Sequence, residues 1–333
     1  MGDGQNHPLR RNIDRPSKHP DVIRSWWRDP VLTCLEESLV LLEAAHPQGL
    51  DSMARTFGAF DDPSWAGVEQ FLRHRAELVV ASLLAEAQVP FRFNTAAGPD
   101  LLMGEEPSCM GIEISSRSPK SLFNLSQTLH EGLRDRGLAH SVSIRTDPIP
   151  PVAIRTEVRN AIIEQILPAD GSPGVRSLRV MAAPARPEDG IPESWVTITL
   201  GGSGTTMTSA PLDSPHMIAM ARDVAKNVLR ERRKIRQSQT MPTLLIVEVS
   251  GADLPDLRSW KQAFDRIWEE QDAFLGMAAM VASSNRRLPT FSFSINPYAD
   301  TSGIADLVAR LSGCPSFQPL STQLHDGMTT RDV

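Results

Sequence analysis

An α/β fold, with a mixed central β-sheet flanked by helices, is predicted by three features of the 333-residue sequence. Short apolar or alternating runs recur between longer stretches of helical period, the signature of strands and helices in alternation. Thr243-Leu244-Leu245-Ile246-Val247-Glu248-Val249 is a continuous apolar run of the kind that fills a strand buried on both faces. Helix starts are marked four times by a capping residue before proline, at Asp29-Pro30, Asp62-Pro63, Ser118-Pro119 and Ser214-Pro215.

Residues 1–28 are polar, charged and punctuated by proline, and read as a flexible arm. Asp29-Pro30 opens a helix to about Ala45, and Asp62-Pro63 a second to about residue 88 with Val68, Leu72, Ala76, Val79, Val80 and Leu83 as its apolar stripe. Strands are expected near 90–94, 99–103 and 110–117, then a helix over 118–136 ending at Gly137, and a strand over 139–146. Asp147-Pro148-Ile149-Pro150-Pro151 is either a domain boundary or a rigid connection into a helix over 152–167. Strands follow at 178–181 and 195–200. One long helix is expected from Ser214 to about Gln237, feeding the strand that starts at Thr243. A helix at 255–273, strands at 277–281 and 291–295 and a helix at 302–312 complete the alternation. The chain thus divides into the arm, a core over 29–147, a continuation of the same or a second domain over 148–313, and a tail over 314–333.

Composition narrows the function. Net charge is −6, so a protein that coats nucleic acid non-specifically is excluded, and any phosphate contact must come from a local patch. Three well-separated cysteines, Cys34, Cys109 and Cys314, without a CxxC pair, argue against a structural zinc site or a disulfide framework. The N-terminus lacks the apolar segment of a signal peptide, and no apolar run reaches membrane-spanning length. The expectation is a cytoplasmic protein with no membrane partner.

The residues that carry chemistry lie in 76–117. In Met110-Gly111-Ile112-Glu113-Ile114-Ser115-Ser116-Arg117, alternation puts Ile112 and Ile114 on one face and Glu113, Ser115 and Arg117 on the other. Asp100, after Gly98-Pro99, opens the preceding strand, and the interval to Glu113 lets that strand turn through 104–108 and return beside itself. Two carboxylates then meet at one place, where a divalent cation relieves their repulsion. Glu77 lies beside the helix stripe, where it can reach the sheet or form a solvated pair with a nearby arginine. His74, three residues earlier, can share a metal with it.

An acidic residue in a helix, Pro99-Asp100, and a strand bearing Glu113 resemble the signature of the PD-(D/E)xK, or restriction endonuclease-like, superfamily of metal-dependent nucleases. The resemblance covers about a third of the chain and extends to the order of elements. It implies a restriction endonuclease-like core, Mg²⁺ or Mn²⁺ held by Asp100, Glu113 and the Ile114 carbonyl, and Glu77 as a further catalytic acid. The motif lysine falls at Ser115, a departure from the family pattern. Lys120 is the nearest lysine in sequence, Arg117 shares Glu113's face, and Lys226 stands in the helix before the apolar strand. Gln127 and His130, on the helix after Arg117, are expected beside the cleft.

Two function classes follow. The first is divalent-metal-dependent phosphodiester hydrolysis, with DNA as the partner and RNA as the second choice. The second is a nuclease-fold module that binds nucleic acid or proteins without cleavage. A homo-oligomer is compatible with either. Phosphate contacts are assigned to Arg117, Lys120 and the basic helix end carrying Arg230, Arg233 and Lys234, an end that the helix dipole alone could equally explain. Gly201-Gly202-Ser203-Gly204 lacks the lysine and helix start of a phosphate loop and reads as a turn. A Ser-His-Asp hydrolase has no GxSxG element to support it.

Overall fold

In the computed structural model, the described residues run from 30 to 319, apart from 58–64, 105–108, 118–119, 139, 173, 202–205, 250–253, 282–288, 301 and 316–317. The N-terminal arm, the Asp62-Pro63 and Ser118-Pro119 helix starts, the 104–108 turn beyond Gly104, most of the glycine-rich turn and the end of the tail therefore lie outside them.

The elements alternate as the sequence pattern requires. They run α1 (Pro30–Ala45), α2 (Leu50–Phe57), α3 (Trp65–Glu86), β1 (Phe91–Phe93), β2 (Leu101–Met103), β3 (Met110–Ser116), α4 (Lys120–Asp135), β4 (Val142–Asp147) and α5 (Thr156–Ile166). Then come β5 (Ser177–Ala183), β6 (Ser194–Leu200), β7 (Thr206–Thr208), α6 (Pro215–Leu229), α7 (Arg232–Thr240), β8 (Thr243–Glu248), α8 (Leu257–Phe264), β9 (Phe274–Val281), β10 (Thr290–Ile295), α9 (Ser302–Ser312) and β11 (Gln318–Pro319).

These strands form two mixed sheets, one of seven strands in the order β1-β2-β3-β8-β9-β10-β11 and one of four in the order β5-β6-β4-β7. β3 pairs in parallel with β8, and β8 with β9, so strands from before and after Asp147-Pro148 share the larger sheet. Ile112, Ile114, Leu244 and Ile246 on one face of this sheet pack with α1, α3 and α9. Leu245, Val247, Met277 and Ala279 on the other pack with α6 and α8, around fully buried Trp260 and Phe264. Helices on both faces explain why β8 is buried along its whole length and apolar from Leu244 to Val247. The smaller sheet has one face covered by α4 and α5, through Leu125, Leu129, Ile162, Val196 and Ile198.

The structure differs from expectation in one place that matters for function. The single helix over 214–237 is two helices. Ser214 caps α6 by accepting from the Met217 N–H, but after Leu229 the chain leaves helical geometry, and Glu231 is extended (ψ 110°) as the N-cap of α7. The break turns α7 so that it buries Lys234 and Ser238 while Arg232, Arg233 and Arg236 stay exposed.

Candidate active site

β2 and β3 are antiparallel with Leu101 opposite Ile112, so Asp100, one residue before β2, lies opposite Glu113. Asp100 Oδ2 accepts the Ile114 N–H at 2.7 Å, which ties the loop acid to the strand acid's neighbour. The approach depends on Gly111, because a Cβ there would fall 2.4 Å from Pro99 Cγ. The loop is held from two further sides. The Asn94 amide donates to the Pro99 carbonyl at 2.8 Å, and Gln237 of α7 donates to the Gly98 carbonyl at 2.8 Å.

Glu77 reaches the same place from α3. It is buried, and Arg73 on the preceding turn bridges it to the strand acids, at 3.4 Å from Glu77 and 3.6 Å from Asp100. His74 Nδ1 is 3.3 Å from the other Glu77 oxygen. The alternative reading of Glu77 as an arginine partner is thus correct in its partner, although the Glu77 carboxylate is buried rather than solvated.

Lys234, assigned by the sequence to phosphate contacts, makes an ion pair that the sequence did not anticipate. Its ammonium is buried and stands 3.2 Å from Glu113 Oε1. It arrives on the strand face that Glu113 shares with buried Ser115, so a cation is present where the sequence motif lacks one. It is carried by a helix more than a hundred residues away in the chain. Glu113 Oε2 is buried and has no hydrogen-bond partner among the described residues.

The electrostatics follow from burial. Desolvation, reinforced by the charges of Glu77 and Glu113, pushes the Asp100 carboxyl up to about 7, against the pull of the Ile114 N–H and Arg73. Burial also raises Glu113, opposed mainly by Lys234 and further by Arg73 and Arg233. For Arg73, partial burial works against its charge, yet Asp100, Glu77 and Glu113 outweigh it and hold its pKa above the usual value.

The remaining predicted residues divide. Arg117, on Glu113's face, is 3.4 Å from Glu231, and Arg230 pairs with Glu269. Arg233 is exposed on α7 and close enough to act on Glu113. Lys120 opens α4, but its side chain lies outside what is described. Gln127 bonds Glu131 and His130 bonds Ser126 within α4, so neither is drawn into the acid cluster. Arg73, Gln237 and Asn94 are the site residues that sequence reasoning missed, and for Lys234 it missed the pairing with Glu113. Arg73 alone left a signal, its i,i+4 spacing to Glu77.

The donor set suits a hard divalent cation. Mg²⁺ characteristically takes one or two carboxylates and fills its remaining positions with water and phosphate oxygens. Asp100 and Glu113 supply such a pair, and the orphaned Glu113 Oε2 is a buried oxygen in need of a positive partner. Among the described residues no group of three or more His, Cys, Asp or Glu is gathered as a metal cage. No helix among the described residues is long and apolar enough to cross a membrane. Comparison with known protein families, with curated proteins and with solved structures found no match to this chain.

Proposed function

We propose that the cluster of Glu77, Asp100, Glu113 and Lys234 hydrolyses phosphodiester bonds of a nucleic acid, DNA by preference, with Mg²⁺ or Mn²⁺. The observation that carries the reading is the contact between Lys234 and Glu113. It supplies, from a separate helix, the ammonium missing at Ser115 from the PD-(D/E)xK pattern that the sequence resembles.

In this reading Asp100 and Glu113 hold the cation, which supplies positive charge to the phosphoryl oxygens and makes water more acidic. Lys234 keeps one N–H on Glu113 and presents the others to a phosphate oxygen or to the attacking water, offsetting charge that builds in the transition state. Asp100 must be ionised to serve, and its raised pKa puts that ionisation near neutral pH. Glu77 orients water from the α3 side once Arg73 swings toward the substrate, for which its half-exposed side chain leaves room. Gln237 and Gly111 act through Asp100 as positioning residues.

The test is cleavage of linear duplex, supercoiled and single-stranded DNA, and of RNA, with Mg²⁺ or Mn²⁺, by wild type, Asp100→Ala and Lys234→Met purified identically. Cutting by wild type alone, abolished by a chelator, is expected. If all three proteins are inert, or cut equally, the reading fails. A second reading draws on Arg73, which already neutralises part of the acid cluster. In it the fold binds nucleic acid without cleavage, and Asp100→Asn leaves binding intact.

A further inference from the structure

A cleft of about 180 Å³ that the proposed chemistry does not use is lined in part by Arg117, which directly follows β3. Its lining includes Arg117, Pro150, Pro151, Met220 and Val224 of α6, and Asn227. The lining is mainly apolar and contains no aromatic ring. The space is below that of a pocket for a drug-sized ligand, and suits one planar ring system.

Its position relates it to the site. Arg117 directly follows β3, its N–H still bonded to the Glu248 carbonyl of β8, and is four residues, about 13 Å of extended chain, beyond Glu113. Its guanidinium is 3.4 Å from Glu231, the N-cap of the helix that delivers Lys234. That contact is long and the side chain is 30% exposed, so the guanidinium can exchange this carboxylate for a phosphate. A strand with one phosphate at the acid cluster would pass this cleft within a short span.

We infer that the cleft receives a single unstacked nucleobase of the bound strand, packed against the apolar lining of Pro150, Pro151, Met220 and Val224, with its phosphate on Arg117 and its polar edge toward the Asn227 amide. Unstacking costs least in a strand that is already single or mismatched, so the cleft favours single-stranded or distorted substrate over continuous duplex. This inference rests on the nucleic-acid substrate of the proposed function.

The test uses the full-length protein with a chelator present and single-stranded oligodeoxynucleotides carrying one 2-aminopurine, moved base by base along the strand. 2-Aminopurine is quenched by stacking on other bases, and a cleft without aromatic rings leaves it bright. A rise in fluorescence at one position is expected. Val224→Phe, which fills the cleft, and Asn227→Trp, at an exposed position that tolerates a large side chain, should each weaken that response roughly tenfold in affinity. A flat response at every position, or a rise that survives in both variants, overturns the inference. The two proposals fail separately: metal-dependent cutting with a flat 2-aminopurine scan keeps the nuclease and removes the cleft, whereas a bright position without cutting keeps the cleft and removes the chemistry.

Discussion

Replacing Lys234 by Met leaves the Glu113 carboxylate without its ammonium in a buried setting, and breaking a buried ion pair from one side costs about 3–5 kcal/mol. The expected outcome is a lower denaturant midpoint than wild type, with much of the loss recovered in Lys234→Met/Glu113→Gln, where no uncompensated charge remains. Additive losses in the double variant would mean that the two side chains do not interact. Asp100 gives a pH signature. Its carboxyl ionises near 3.8 when unfolded and near 7 when folded, so between these values the native state holds the extra proton. Stability from this group is therefore full at the acid end and is lost as pH rises through about 7. The thermal midpoint in chelator should fall between about pH 4 and about pH 7 and level off above, and Asp100→Asn should flatten that fall. An unchanged slope in the variant would assign the effect elsewhere. At this scale the sequence showed which carboxylates meet, because strand alternation and one proline-marked loop decide it. It could not show Lys234, because its approach to Glu113 is set by the placement of a distant helix and leaves no local pattern.

The hairpin of β2 and β3 and the short helix α7 are the elements that assemble the site. Gly111→Ala places a methyl against Pro99, and relief requires moving the loop that carries Asp100. Overpacking of this kind costs about 1–3 kcal/mol, and here it should lower cleavage without altering any polar residue, as kcat of the purified variant would show. The exposed face of α7 gives an independent test. Exchanging Arg232, Arg233 and Arg236 for Gln should weaken nucleic-acid binding and reduce the slope of log affinity against log salt by about 0.7–0.9 for each phosphate that is no longer neutralised. A slope equal to that of wild type would place the phosphates elsewhere. Most elements were legible from apolar periodicity and caps, and the helix over 302–312 and the strands at 195–200 and 243–249 agree with the structure to within a residue. The break before α7 was not. Leu229-Arg230-Glu231-Arg232 are all good helix formers, and the interruption coincides with ion pairs that Arg230 and Glu231 make with Glu269 and Arg117. Tertiary contacts outweigh propensity there, and the helix phase shifts so that Lys234 is buried.

At the scale of the molecule, the larger sheet is built from both halves of the chain, with β8 between β3 and β9. A fragment ending at Asp147 keeps β1 to β3 but loses β8, β9 and β10, and with them the apolar surface that α3 and β3 are packed against. Such a fragment should give no cooperative urea transition, whereas the full chain should give one; a sharp transition in the fragment would make it a domain of its own. The proline cluster after Asp147 thus connects two strands of the smaller sheet, β4 and β5, by way of α5. The hairpin around Pro187–Asp189 leads back to α6, where Arg186 grips Asp223 through two hydrogen bonds. A two-sheet arrangement was beyond the reach of pattern reading, because the strands of both sheets have the same alternation and differ only in their partners.

Arg73 gives the acid cluster an internal tenant. A cation settling on Asp100 would compete with the Arg73 guanidinium 3.6 Å away, and a displaced guanidinium would be free to meet a phosphate at the proposed site. Metal and nucleic acid would then each prepare the ground for the other, and thermodynamic reciprocity makes the two enhancements equal. Measured with Ca²⁺ and an uncut oligonucleotide, the factor by which the ion tightens the strand should match the factor by which the strand tightens the ion, and both should shrink toward one in Arg73→Ala.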